Sequence, residues 1–120
     1  MDSSSRLNSV MPSVAVSDLG TALDFYTQQL GFRVTFENKD LFVIVARDGV
    51  EIGLAPAAVH HGAPGKNNLY LKVSGIETLY ADLQSRGVPV LHPLKNEPYG
   101  MKEFMIADPD GNTINYGEPL

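Results

Sequence analysis

The feature that most constrains this fold is an internal duplication. A strand, a helix and three further strands occur in the same order twice within 120 residues. Three pairs of short segments match between the copies: VSDL and VSGI, QQLGF and QSRGV, and RDGVEI and DPDGNTI. The period is too long for a solenoid and indicates one βαβββ unit used twice. Each unit should form a four-stranded sheet that has a helix on one face only.

The spacing of apolar residues defines the elements of the first copy. Leu19, Leu23, Tyr26 and Leu30 recur every three or four residues, which predicts one helix that ends at Gly31. Alternating or continuous apolar runs, separated by turn signals, predict four strands. These strands are SVAVSDL, FRVTFE, DLFVIVA and VEIGLA.

The second copy follows after a segment rich in proline, glycine and small residues. Ser74 and Glu77 form a capping box ahead of a helix that Gly87 ends. Four more strands are predicted: NLYLKV, VPVLH, EFMIA and TINYG. The fold class is therefore α+β, with two tandem βαβββ modules forming curved sheets around a concave cleft. We expect a flexible N-terminus at 1–10 and a single domain at 11–120, made of module 1 (11–56), a linker (57–66) and module 2 (67–118).

Composition excludes several classes of function. Nine Lys and Arg residues against 14 Asp and Glu residues give a net charge of −5, which argues against nucleic acid as a partner. The absence of cysteine excludes disulfides, thiolate nucleophiles and cysteine-ligated metals. No apolar run reaches the roughly 18 residues of a membrane span, and no signal-peptide core is present. We therefore expect a cytoplasmic protein with no membrane partner, and a neutral or cationic ligand.

Three segments resemble the vicinal oxygen chelate superfamily, which includes glyoxalase I, extradiol dioxygenases, fosfomycin-resistance enzymes and bleomycin-resistance proteins. They are VSDLGTALDFYTQQLGF, VSGIETLYADLQSRGV and YGMKEFMIADPDGN, and the resemblance covers roughly residues 11 to 118. The last segment is most similar to the bleomycin-resistance branch. That resemblance implies a homodimer in which both subunits build each groove. It also implies a planar or amphipathic small-molecule ligand, an antibiotic or a metabolite.

The same resemblance places the metal-ligand positions of the family on Met11, Glu51, Asn68 and Asn115. Only Glu51 is a competent donor, because one thioether, two amides and one carboxylate suit neither hard nor borderline metals. We therefore expect no metal, no other cofactor and no catalytic residue. Asn115 follows the DPDGN turn on the polar face of its strand, where its amide can donate to and accept from a ligand.

Strand parity and the resemblance together select the candidate ligand-binding residues. Alternation along the strands places Glu51, Asn68, Tyr70 and Asn115 on the more polar faces. The resemblance adds the aromatic residues Phe42 and Tyr99, which would stack on flat rings, and Met101 would add a deformable wall beside them. The full set is Phe42, Glu51, Asn68, Tyr70, Tyr99, Met101 and Asn115. Glu51 has two readings that the residues leave equal: attraction of a cationic ligand group, or an ordinary solvated carboxylate.

Other polar residues have simpler interpretations. His60 and His61 are expected to be solvent-exposed loop residues, and His92 a surface or partly buried histidine. Asp108 and Asp110 are expected to serve the turn through bonds to nearby backbone amides. Two alternative functions stay open. One is a metal-dependent glyoxalase-like lyase or extradiol-type dioxygenase that uses Glu51 and a histidine; the other is a groove that accepts a peptide.

Overall fold

The structure is a computed structural model that describes residues 4–120; residues 1–3 of the expected flexible N-terminus lie outside the described residues. Two copies of a βαβββ arrangement follow one another, which confirms the predicted α+β class. The eight strands of the described chain are β1 Ser13–Val16, β2 Arg33–Asn38, β3 Phe42–Arg47, β4 Val50–Pro56, β5 Asn68–Lys72, β6 Val90–Asn96, β7 Met101–Ala107 and β8 Thr113–Pro119. The α-helices are α1 Leu19–Asp24, α2 Ala57–His60 and α3 Ile76–Ser85.

The two sheets have the same topology. The first has the strand order β1-β4-β3-β2 and the second the order β5-β8-β7-β6. In each sheet the first strand pairs in parallel with the last, and the other pairs are antiparallel. The helix that follows the first strand supplies the crossover that a parallel pair requires. The duplication in the sequence is therefore a duplication of the whole sheet.

The helix-covered face of the first sheet is formed by alternate apolar residues. Val43 and Val45 of β3 and Ile52 and Leu54 of β4 are completely buried. Because side chains alternate across a strand, these residues share one face. Burying each such side chain stabilises the fold by about 1.5–3 kcal/mol. Phe104, Ile106 and Ile114 form the corresponding surface of the second sheet, in the same buried cluster.

The first helix differs from the prediction of one continuous α-helix. After α1 the chain forms a π-helical segment, Phe25–Gln29, in which Leu30 N–H donates to Phe25 O at 3.0 Å. The wider turn brings two consecutive aromatic residues, Phe25 and Tyr26, into the core, where their rings meet edge to face at 5.6 Å. The spacing of apolar residues indicated a helix, but it did not reveal this change of pitch.

The predicted capping box at the start of α3 is wrong. The N-cap is Gly75 at φ +74°, so Ser74 lies one residue too early to cap the helix. Glu118 of β8 accepts hydrogen bonds from the N–H groups of Gly75 and the next residue, at 3.2 and 3.0 Å. Glu77 pairs instead with Lys102. A carboxylate that is distant in sequence therefore caps this helix, which local sequence cannot show.

The linker also contains structure that the sequence did not indicate. Residues 57–66 were predicted as an irregular segment, but α2 occupies the first four of them. His60 ends α2, is half-buried, and donates from Nε2 to Ser13 O at 2.9 Å. The prediction of an exposed loop residue is therefore wrong for His60. His61 is exposed, and its φ of +69° ends the helix.

The DPDGN turn joins the two units. Asp108 is 5 % exposed, and its Oδ1 accepts from the N–H groups of Asp110 and Asn112 at 2.9 Å each, which confirms its predicted role in the turn. Its Oδ2 also accepts from the Tyr26 hydroxyl at 2.9 Å. Burial, followed by the charge of Asp108, raises the pKa of Tyr26. Asp110 accepts from Ser17 N–H of the first unit at 3.0 Å.

Two asparagines complete this contact between the units. Asn112 Nδ2 donates to Ala15 O at 3.1 Å, and Ala15 N–H donates to Asn67 Oδ1 at the same distance. Asn67 N–H in turn donates to Asn112 Oδ1 at 3.0 Å. The first two bonds satisfy the backbone groups of Ala15, because β1 is an edge strand with no strand neighbour on this side. No helix in the described part of the chain is long and apolar enough to cross a membrane.

Candidate functional site

Each sheet has one face away from its helix, which we call its open face. Strand parity and register assign Phe36, Phe42, Ile44, Glu51 and Gly53 to the first open face. The second open face contains Asn68, Tyr70, Glu103, Met105 and Asn115. The helix faces of the two sheets are alike, whereas the open faces differ in chemistry.

Apart from Glu51, the first open face is aromatic and apolar. Phe42 lies across β4 at Gly53, where an added Cβ would come within 3.0 Å of the Phe42 ring and 3.3 Å of Met11 Cε. The rings of Phe36 and Phe42 are 6.2 Å apart. Phe36 is 50 % exposed, so part of this aromatic surface is open to solvent. Glycine at position 53 therefore lets a phenylalanine lie flat on the sheet.

Glu51 lies near the start of β4 and is exposed. It forms no ion pair among the residues that the structure describes. Counting from the turn glycines Gly49 and Gly111, the residue that corresponds to Asn115 is Gly53, two residues beyond Glu51. The role of Glu51 in ligand binding stays a prediction.

The second open face contains a buried carboxylate that the sequence analysis did not select. Glu103 is 6 % exposed. Tyr70 OH donates to its Oε2 at 2.5 Å, and Tyr99 OH donates to its Oε1. Lys95 lies opposite Glu103 on β6 but forms its ion pair with Glu97, at 3.8 Å. Within residues 4–120, Glu103 is therefore held by two phenols and by no cation.

The two phenols act as donors over the whole neutral range. Burial, followed by the hydrogen bond to Glu103, raises the pKa of Tyr70 to about 12. The hydrogen bond to Glu103, followed by burial, raises the pKa of Tyr99 to about 12. Each bond stabilises the protonated phenol beside an anionic carboxylate. The arrangement is typical of a fixed hydrogen-bonding surface, since neither phenol ionises near pH 7.

A glycine again makes the arrangement possible. Tyr70 crosses β8 at Gly117, where an added Cβ would lie 2.0 Å from the Tyr70 hydroxyl oxygen. Any larger residue would displace the ring and break its bond to Glu103. Gly117 thus leaves room for the Tyr70 ring on the second open face, in the same way that Gly53 leaves room for the Phe42 ring on the first.

A cavity of about 420 Å³ opens above this carboxylate. Its polar lining combines side chains of β6, β7 and β8 with those of the loop before β7. The residues that define its chemistry are His92, Lys95, Tyr99, Glu103, Met105 and Asn115. Asn115 is half-buried, and its amide has no hydrogen-bond partner within residues 4–120. The cavity therefore offers an amide and a carboxylate, both with capacity for further hydrogen bonds.

The predicted ligand-binding residues fall into two groups. Phe42 and Glu51 lie on the first open face, whereas the other five lie on or beside the second: Asn68, Tyr70, Tyr99, Met101 and Asn115. Glu103 was missed although parity could have found it, because Phe104 and Ile106 in the same strand face the core. His92 is exposed, as one of its two predicted readings requires, and lines the cavity.

The positions that correspond to family metal ligands do not form a site suited to a metal. Met11 offers a thioether, Asn68 donates its amide to Thr113 Oγ1 at 2.5 Å, and Asn115 is a neutral amide. The described residues contain no group of three or more His, Asp or Glu side chains placed to hold an ion. Glu51 would be the only charged ligand, and one carboxylate is not enough to bind a divalent metal tightly.

Comparisons with known proteins agree on one family. Residues 6–116 match the family model described as the Glyoxalase/Bleomycin resistance protein/Dioxygenase superfamily. A bleomycin resistance protein of Geobacillus stearothermophilus is 28 % identical over 129 aligned positions, which cover 92 % of this chain and 96 % of the relative.

Two solved structures are similar over nearly their whole length. TnmS3, an antibiotic binding protein from Streptomyces sp. CB03234, superposes with a TM-score of 0.82 at 31 % identity, covering 95 % of this chain and 98 % of its own. A superfamily member from Sphaerobacter thermophilus has a TM-score of 0.82 at 29 % identity, with coverages of 94 % and 98 %. Both likenesses extend across the two βαβββ units.

Proposed function

This chain belongs to the glyoxalase/bleomycin resistance protein/dioxygenase superfamily, and on that premise we propose that it binds a small molecule without transforming it. The ligand is planar or amphipathic, and an antibiotic is one candidate. The protein acts by sequestration, which requires a dissociation constant below the working concentration of the ligand and no turnover.

The observation that carries this proposal is the pair of phenols fixed on Glu103 beneath a cavity. Catalysis by acid–base transfer favours groups whose pKa lies near the working pH. Here the pKa of each phenol is about 12, so both stay protonated. Glu103 and the free amide of Asn115 can still accept hydrogen bonds from a ligand. Such a surface is suited to holding a polar group in one orientation.

The first open face supplies the complementary surface in this proposal. Phe36 and Phe42 offer rings that can stack on a flat ligand, a contact worth about 0.5–1.5 kcal/mol per pair beyond burial. Met11 adds a deformable apolar wall beside them. A planar ligand with a polar or cationic end would use both faces, with its rings on the first and its polar end at Glu103.

We propose that two copies of the chain bring these faces together. In a symmetric homodimer, the first open face of one copy would cover the second open face of the other and so create two equal grooves. Three large side chains near these faces remain about half exposed or more: Phe36, Leu41 and Tyr99. A dimer would bury such apolar surface, which supports this assembly.

The comparisons with known proteins also support the binding of a small molecule. The similar protein of Geobacillus stearothermophilus is named a bleomycin resistance protein, and TnmS3 is described as an antibiotic binding protein. Within one family such names suggest a ligand class and leave the particular compound open, because function depends on the residues of the site. Bleomycin is therefore a suitable first probe.

Calorimetric titration of the protein with bleomycin tests the proposal. We expect saturable binding of one ligand per groove, and we expect Tyr99→Ala to weaken it roughly tenfold or more, as for a central aromatic contact. Tyr99→Phe keeps the ring and removes its hydrogen bond to Glu103, so this variant distinguishes the contribution of the ring from that of the bond. Leu91→Ala is the matched control, because Leu91 is exposed but does not line the cavity.

Two results would contradict the proposal. One is the absence of binding or thermal stabilisation by bleomycin and by a panel of flat aromatic compounds, which would favour a groove that accepts a peptide. The other is a stoichiometric, tightly held transition metal in protein purified without chelators. That finding would favour the metal-dependent lyase or dioxygenase.

A further inference from the structure

A second cavity, of about 350 Å³, lies where the two units meet. Phe32, which follows the first helix, contributes one side of it, and Leu71 of β5 and Leu79 of α3 contribute the other. None of the residues that line the cavity above Glu103 takes part in it. The second cavity is therefore separate from the proposed ligand groove.

Tyr116 gives this cavity a polar group without a partner. Its side chain is only 4 % exposed, and its ring stacks on Phe104 with centroids 4.9 Å apart. The hydroxyl forms no hydrogen bond within residues 4–120. It is not fully enclosed either, since it is absent from the enclosed, unpartnered side-chain atoms of the described residues. It must therefore border open space, and Tyr116 lines this cavity. The hydroxyl is therefore accessible from the cavity and free to donate a hydrogen bond to an acceptor placed there.

Arg47 places positive charge beside that hydroxyl. Its Nη1 donates to Leu30 O at 2.8 Å, and its Nε lies 3.6 Å from Asp48, whose side chain is largely in solvent. A guanidinium has five N–H donors, so several remain for a ligand. Burial raises the pKa of Tyr116, while the charge of Arg47 acts in the opposite sense. The phenol therefore stays a donor at neutral pH and lies within the field of the guanidinium.

We propose that this cavity is a second binding site, for an amphipathic carboxylate. The carboxylate would accept hydrogen bonds from the Tyr116 hydroxyl and the Arg47 guanidinium, which is a geometry that Arg favours. The apolar part of the ligand would pack on Phe32, Leu71 and Leu79. Lys72 at the edge of the cavity adds a second positive charge, and Asp48 opposes it. A volume near 350 Å³ suits a short-chain acid.

Titration with octanoate, followed by amide chemical shifts in NMR and by calorimetry, tests the site. We expect saturable binding with shifts at Leu71, Ser74 and Leu79, and binding of octanol at least tenfold weaker because it lacks the charge. Tyr116→Phe keeps the stacked ring and removes the hydroxyl. We expect this variant to bind octanoate about tenfold more weakly, the loss of one hydrogen bond to a charged group.

Two matched controls accompany these variants. Tyr80→Phe also removes a hydroxyl from a ring packed 4.9 Å from Phe104, but Tyr80 does not line the cavity. Arg33→Gln matches Arg47→Gln, because Arg33 is an exposed arginine of β2 outside the site. We expect both controls to bind octanoate as the wild type does, and Arg47→Gln to bind it about tenfold more weakly.

The proposal is overturned if octanoate does not bind, or if octanol binds equally well. It is also overturned if Tyr116→Phe and Arg47→Gln bind octanoate normally while retaining a native thermal unfolding transition. Shifts confined to His92, Met105 and Asn115 would place octanoate in the groove and would equally contradict a second site. Loss of bleomycin binding alone would count against the proposed function and leave this site standing.

Discussion

The two open faces come from the same βαβββ unit and yet have opposite chemistry. On the first, Phe36 and Phe42 form an apolar surface. On the second, Glu103 is buried beneath two phenols. The helix faces had to stay apolar in both units, because they form a single buried cluster. The open faces carry no such requirement, and their different side chains are the basis of the ligand groove that we propose.

Both open faces nevertheless use one structural device. A glycine in the last strand of each sheet allows an aromatic side chain to lie across it: Phe42 over Gly53, and Tyr70 over Gly117. The consequence differs because the hydroxyl of Tyr70 donates to Glu103, whereas the ring of Phe42 lies beside that of Phe36, with centroids 6.2 Å apart. Substitutions at these two glycines therefore compare the faces directly.

The largest expected effect follows from Gly117→Ala. The new Cβ would overlap the Tyr70 ring, forcing it away from Glu103 and breaking a hydrogen bond to a charged group. We expect a loss of about 1–3 kcal/mol in the free energy of unfolding. Gly53→Ala should cost less than Gly117→Ala, since its Cβ would meet side-chain carbon atoms of Phe42 and Met11 at 3.0–3.3 Å and break no hydrogen bond. Urea denaturation of both variants measures the difference, and equal losses would show that the faces are equally rigid.

An intermediate effect is expected from Glu103→Gln on the ionisation of the phenols. The raised pKa values mean that Tyr70 and Tyr99 stabilise the fold fully below pH 10, and that this contribution is lost as the pH rises through about 12. Removing the charge of Glu103 should lower the pKa of both phenols. Ultraviolet titration of phenolate absorbance should show two tyrosines ionising earlier in the variant. Superimposable titration curves would contradict the hydrogen bonds of the two phenols to Glu103.

The smallest effect is expected from Glu51→Gln on the first open face. Glu51 is exposed and has no ion-pair partner within the described chain, unlike the buried Glu103. We expect its free energy of unfolding to stay within about 0.5 kcal/mol of the wild type. Thermal unfolding measured at neutral pH tests this. A larger change would mean that Glu51 contacts a second molecule, such as the other copy in the proposed dimer.

Much of the fold followed from the sequence because duplication and alternation are properties that a single chain displays. The eight strands and the glycine that ends the first helix have the predicted order. The features that were missed depend on contacts between distant segments. Glu118 caps α3 from another strand, and Glu103 is buried by Tyr70, 33 residues away. No local pattern reports such contacts.

The site was predicted only in outline for the same reason. Parity correctly placed Asn68, Tyr70 and Asn115 on one face, since alternation is a local property. In β7 the same alternation places Glu103 on the open face, but alternation does not show that the carboxylate is buried there. Parity also gives no sign that a tyrosine from a neighbouring loop, Tyr99, would reach the same carboxylate.

The bonds of the DPDGN turn also limit how small a relative of this protein can be. A polypeptide with only the first βαβββ unit would leave the Tyr26 hydroxyl and the Ala15 N–H without the acceptors that Asp108 and Asn67 provide. It would also leave the Ala15 carbonyl without the donor that Asn112 provides. Such a half-length polypeptide would have to recruit a second copy of itself to become stable.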